Sequence, residues 1–115
     1  MELNEYQLGC RKFAVYPNLG TNLIYTTLGL SGEVGEFVDN VKKSIRDNNF
    51  GMGDSWVLLD QNRRIKMIDE LGDVLWYVAN CATELGVSLE DIARHNVNKL
   101  TDRRENGKKL GHENK

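Results

Sequence analysis

Apolar residues recur along this chain at intervals of three and four, the rhythm of one face of an α-helix, and four stretches carry it. The first predicted helix spans Leu3 to Tyr16, with Leu3, Tyr6, Gln7, Cys10, Phe13 and Ala14 on one side. Asn4 is its expected N-cap. Pro17 ends it, because the residue before a proline is pushed out of the α region. The next six residues, PNLGTN, read as a turn, with Thr21 or Asn22 as the cap of the second helix. That helix spans Leu23 to Arg46, and its core stripe is Leu30, Val34, Phe37, Val41 and Ile45, spaced 4, 3, 4, 4. Gly29, Gly32 and Gly35 fall inside it, and each costs about 1 kcal/mol against alanine in a helix interior. Either these glycines let another helix or a ligand approach the backbone, or the helix begins at Ser31 and they are loop.

The third helix spans Arg63 to Leu85. Its seam of Ile68, Leu71, Leu75, Val78, Ala82 and Leu85 is spaced 3, 4, 3, 4, 3. That heptad rhythm is the strongest structural signal in the chain. Gly86 is the expected left-handed C-cap, with Val87 supplying the accompanying apolar contact. Ser88-Leu-Glu-Asp91 is a capping-box variant that starts the fourth helix, Leu89 to Arg104. Leu89, Ile92, Ala93, Val97 and Leu100 form its apolar side. The polar connection from Asp47 to Asn62 lacks the ligand order of a calcium loop. Within it, Trp56 to Leu59 reads as a short helical piece capped by Asp54 or Ser55. The tail, 105–115, is polar. The fold class is therefore all-α. A single domain of residues 1–115, with its core at about 23–107, forms a four-helix bundle. Helices this long, apolar on more than one face, call for a partner, so oligomerisation is expected to complete it.

Composition narrows the partners. Lysine and arginine total 15, aspartate and glutamate 17, and the net charge is −2. That balance argues against a nucleic-acid polymer as ligand. No apolar run is long enough to span a membrane. The start, MELNEY, lacks the basic and apolar regions of a signal peptide. Cys10 and Cys81 are too few for a disulfide framework and fall in predicted helices, which fits reduced thiols in a cytoplasm.

The candidate chemistry lies in two acid pairs, Glu33 with Glu36 and Glu70 with Asp73. On a helix, residues three apart lie within about 60° of each other. Each pair borders an apolar seam, so helix packing would bring four carboxylates together. Such a group cannot ionise fully without a compensating cation. Hard divalent ions, Mg²⁺ first and Mn²⁺ as a second option, take oxygen ligands and share them with phosphates. A di-iron bundle would require Glu-x-x-His on two helices. Neither His95 nor His112 sits three residues after an acid. Lys66, four residues before Glu70, suits a phosphate ligand or a plain ion pair. Lys42, Lys43, Lys99, Arg103 and Lys108 carry the same alternatives. Asn80, seven residues after Asp73, is either a substrate contact or a satisfied interface amide.

In these residues the chain resembles the MazG-type, all-α nucleoside triphosphate pyrophosphohydrolases. Their signature, Glu-x-x-Glu followed by Glu-x-x-Asp, reads here Glu33-Val-Gly-Glu36 and Glu70-Leu-Gly-Asp73, within GEVGEF and DELGDVLWYVAN. Asn96-Val-Asn-Lys99-Leu-Thr-Asp-Arg103 looks like the family's Asn-x-x-Lys-Leu-x-x-Arg segment. The resemblance covers about residues 23 to 107. Two features depart from it. The acid pairs are separated by 33 residues, longer than is usual, with the excess in the Asp47–Asn62 connection. Arg103 is followed by Arg104-Glu105 instead of an aromatic-proline pair. The resemblance implies hydrolysis of a nucleoside triphosphate, ribo or deoxy, between the α and β phosphates. It implies Mg²⁺ held by Glu33, Glu36, Glu70 and Asp73, with Glu33 or Glu36 as general base. It also implies phosphate contacts from Lys66, Lys99 and Arg103, with Asn80 and Asn96 as further substrate contacts. A homodimer or homotetramer is expected. Trp76 and Tyr77 are core or interface candidates, and Trp56 and Phe13 weaker base-stacking ones. The alternatives are a phosphoribosyl-ATP pyrophosphatase and a non-catalytic helical module with a vestigial site.

Overall fold

The computed structural model describes residues 1–48 and 61–107, and all regular structure in them is helical. The helices are α1 (Leu3–Lys12), α2 (Leu23–Asn48), α3 (Gln61–Glu84) and α4 (Leu89–Glu105). The short helical piece expected at Trp56–Leu59, its cap at Asp54 or Ser55, and most of the polar tail lie outside the described residues. Among the described residues, no helix is long and apolar enough to cross a membrane.

Local chemistry sets the helix ends. The cap of α1 is Glu2, not Asn4, and its backbone N–H donates to the Glu5 carboxylate at 3.2 Å. Asn4 serves α4 instead, accepting from the Glu90 N–H at 3.3 Å. α1 stops at Lys12, well short of Tyr16, and residues 14 to 16 turn away to bury Ala14 and Tyr16. Asn22 caps α2, its side-chain oxygen accepting from the Tyr25 N–H at 3.0 Å. α2 then runs unbroken through Gly29, Gly32 and Gly35, so the helix does not wait for Ser31. Gly86 ends α3 in the left-handed region, φ 75°. There Gly86 N–H donates to Thr83 and Val87 N–H to Ala82, both at 3.0 Å, which satisfies carbonyls that a helix end leaves free. Ser88 accepts from the Asp91 N–H at 3.0 Å and opens α4.

α3 is the central helix, packed along α2 on one side and against α1 and α4 on the other. The apolar core is small: Cys10, Ala79, Ala82 and Leu89, flanked by Tyr6, Trp76 and Val78. Gln7, buried beside it, joins α1 to the α3–α4 turn. Its side-chain oxygen accepts from Leu89 N–H at 2.7 Å, and its amide donates to Val87 O at 2.9 Å.

The expected seam of α3 does not fill this core. Ala82 is buried and Val78 partly so, but Ile68 is 51%, Leu71 50% and Leu75 44% exposed. In α2 the expected stripe is divided likewise. Leu30, Phe37 and Val41 are partly buried, whereas Val34 and Ile45 are exposed. The side chains buried furthest on α2 and α3 include Thr26, Ser44, Glu70 and Asn80. Within one chain the two long helices thus meet through faces rich in polar groups and turn much of their apolar surface outward.

A buried carboxylate fixes the other end of α3. Glu84, with a side chain 1% exposed, accepts from Arg11 at 3.1 Å, from the Tyr16 hydroxyl, from Gly20 N–H at 2.9 Å and from Asn22 N–H at 2.7 Å. One residue thereby ties α1, the turn and the start of α2 to α3. The Tyr16 hydroxyl above all, then the two backbone amides and Arg11, holds the Glu84 carboxyl down to about 2. A depressed carboxyl pKa adds stability that is complete above the unfolded value and is lost as pH falls through the folded one. The wild type should therefore lose this contribution between about pH 4 and pH 2. Glu84→Gln should lower the neutral-pH unfolding midpoint by on the order of 10 °C and weaken the acid dependence over that window. Thermal melts followed by circular dichroism at stepped pH check this; an unchanged midpoint would remove Glu84 as an anchor.

Candidate active site

The acid pairs lie on facing stretches of α2 and α3. Glu33 on α2 and Glu70 and Asp73 on α3 bring one carboxylate oxygen each to within 4.8 Å of one another. Glu70 is buried, Glu33 half-buried and Asp73 exposed, so the group opens from the interhelical groove toward solvent. Glu36, one turn after Glu33, is exposed and outside this trio. Its charge is still felt. Burial raises the Glu33 pKa first, and the negative charges of Asp73, Glu36 and Glu70 raise it further. Folding has pressed like charges together, and that repulsion is what a bound cation would relieve. The donor set is all carboxylate oxygen, with no histidine or cysteine in it, and fits a hard divalent metal ion.

The cluster has a polar support that spacing along the sequence does not reveal. Asn40 on α2 donates from its side-chain amide to Glu70 Oε1 at 2.9 Å. It lies seven residues after Glu33, the same step that separates Asn80 from Asp73. Asn80 itself is fully buried, and both ends of its amide are used inside the chain. Its oxygen accepts from Arg11 and its nitrogen donates to the Trp76 carbonyl, each at 3.2 Å. That is a structural position away from the mouth of the acid group. Tyr77 is the second residue that the sequence did not mark as part of the cluster's surroundings. It follows Asp73 by four and packs on Gly29, four before Glu33. Burial, and then Tyr25, Glu33 and Asp73, hold the proton on its phenol.

The expected cations are distributed unevenly. Lys66 is exposed and lines a cavity of about 230 Å³ with Asn40, Lys43, Asn62 and Arg63. Asn40 joins that cavity to Glu70, so basic groups border one end of the acid cluster. Arg63 is already paired with Asp47 at 2.7 Å, and Lys43 with Asp39 at 2.8 Å. Lys42 shares Asp39 at 3.5 Å. Asn96 and Lys99 are exposed on α4, with no contact to the acids among the described residues. Arg103 is 4% exposed, and its buried Nε has no hydrogen-bond partner among the described residues. A buried donor without an acceptor is costly.

The family model of the MazG nucleotide pyrophosphohydrolase domain matches residues 22–107. The chain belongs to this MazG family. The match contains both acid pairs, Asn40, Tyr77 and the basic cavity residues. It leaves out α1, whose residues supply Gln7 and Arg11 to the fold. A relative, the Gene 37 protein of Mycobacterium phage L5, is 38% identical over 112 residues, covering 93% of this chain and 92% of its own. No solved structure gives a significant match.

Proposed function

We propose that this MazG-family protein is a nucleoside triphosphate pyrophosphohydrolase. It would cleave (d)NTPs between the α and β phosphates, giving the monophosphate and pyrophosphate, with Mg²⁺ as cofactor and Mn²⁺ as a substitute. The observation that carries this reading is the convergence of Glu33, Glu70 and Asp73 within 4.8 Å, in a chain of a pyrophosphohydrolase family. When bound, the cation neutralises phosphate charge and lowers the pKa of an attacking water. Glu33, Glu70 and Asp73 would hold it, and Glu36 stands one turn away to complete the four-acid set. Asn40 donates to Oε1 of Glu70 and so orients that carboxylate. Glu33, or Glu36 one turn along α2, would accept the proton of the water. Lys66, at the basic cavity beside Glu70, neutralises the departing pyrophosphate. Lys99, Arg103 and Asn96 supply further substrate contacts from α4.

The same reading includes a homo-oligomer. Ile68, Leu71 and Leu75 form a heptad-spaced row that is about half exposed in one chain. The Cα radius of gyration is 17.1 Å, against about 13 Å for a compact domain of roughly 100 residues. A second copy packed on α3 would cover the row and complete a helical bundle whose single-chain core is small.

Two outcomes are expected. Purified protein with Mg²⁺ releases pyrophosphate from at least one common NTP or dNTP. Asp73→Asn or Glu36→Gln lowers that rate by roughly 100-fold or more. Full activity in either variant would remove that residue from the site. Folded wild-type protein inert across the panel, phosphoribosyl-ATP included, would leave a non-catalytic module. Separately, sedimentation equilibrium should give a dimer or tetramer for the wild type and a smaller species for Leu71→Glu. A monomeric wild type contradicts the assembly.

A further inference from the structure

The layer next to the acid cluster is made by a glycine and a tyrosine. Gly29 stands one turn before Glu33 on α2, and Tyr77 one turn after Asp73 on α3. A Cβ on Gly29 would overlap the Tyr77 ring, meeting its Cε1, Cζ and Cδ1 atoms. Gly32 and Gly35 have nothing within 4 Å of a Cβ placed on them. Gly29 is therefore the member of the triplet used inside the chain, as a notch that admits the ring. Trp76 meets the ring edge-on with centroids 5.0 Å apart. Tyr25, one turn before Gly29, stacks on Tyr16 at 5.0 Å and 14°. Tyr16 in turn donates to the buried carboxylate of Glu84. Stacked rings thus tie the anchor of α3 to α2 one turn before Gly29.

We infer that Tyr77, seated in the notch at Gly29, is a positioning residue that sets the spacing of α2 and α3 where Glu33 faces Glu70 and Asp73. A wider gap at this layer separates Glu33 from the two α3 carboxylates one turn away. A missing ring lets the helices shift against each other. Either change spoils a metal site, whose donors need fixed separations. The inference rests on the reading of the acid trio as a cation site.

The test is Mn²⁺ binding to the purified protein without nucleotide, by titration calorimetry, well below each variant's unfolding midpoint. Gly29→Ala should weaken Mn²⁺ binding by tenfold or more. Adding Tyr77→Ala to Gly29→Ala, which removes the overlap, should recover the affinity of Tyr77→Ala alone. Tyr77→Ala by itself should fold and bind Mn²⁺ several-fold more weakly than wild type, and it carries the test if Gly29→Ala does not fold. Wild-type affinity in folded Gly29→Ala or Tyr77→Ala, with only the unfolding midpoint lowered, overturns the inference and leaves the pair as core packing. Absence of Mn²⁺ binding by the wild type overturns it together with the metal reading beneath it.

Discussion

Repulsion among like charges is the constraint on which this structure turns. Glu33, Glu70 and Asp73 are held within 4.8 Å, and burial of Glu70 keeps bulk water from screening it fully. The trio persists because packing elsewhere fixes the two helices that carry it. Asn40 clamps Glu70 from across the groove. Glu84 gathers the chain from Arg11 to Asn22 at the far end of α3, so the start of α2 is tied before the helix reaches Glu33. A cation bound among the three would turn the repulsion into attraction.

The same arrangement explains why so much apolar surface faces outward. α2 and α3 use polar faces against each other, so Ile68, Leu71 and Leu75 cannot also lie between them. The small core of Cys10, Ala79, Ala82 and Leu89 lies on the opposite side of α3, under α1 and α4. One helix thus serves both ends: the face that gathers the acids leaves the seam about half exposed in the single chain.

Much of this was legible in the sequence. Periodicity located all four helices, and cap chemistry identified Gly86 and Ser88 and narrowed the α2 cap to Thr21 or Asn22, because those signals are local. The acid pairs stood out because spacing along a helix fixes their shared face. The family signature fell on the residues that the family match covers. What was not legible depended on contacts distant in sequence. A heptad seam shows that a face is apolar, but not whether its own chain or another fills it. Asn4 and Asn80 carry ordinary capping and amide chemistry, yet Glu90 and Arg11 claim them from 86 and 69 residues away. Tyr16 left α1 for a carboxylate 68 residues on. Asn40 shares with Asn80 the seven-residue step from an acid, and only the packing of α2 on α3 distinguishes the one that reaches the cluster.

The meeting of α2 and α3 gathers the trio into a candidate cation site. Anomalous diffraction from crystals grown with Mn²⁺ tests it most directly. The expected result is a manganese peak with carboxylate oxygens of Glu33, Glu70 and Asp73 in its coordination sphere. Well-ordered carboxylates at that position with no metal among them, or manganese bound only elsewhere on the chain, would contradict it.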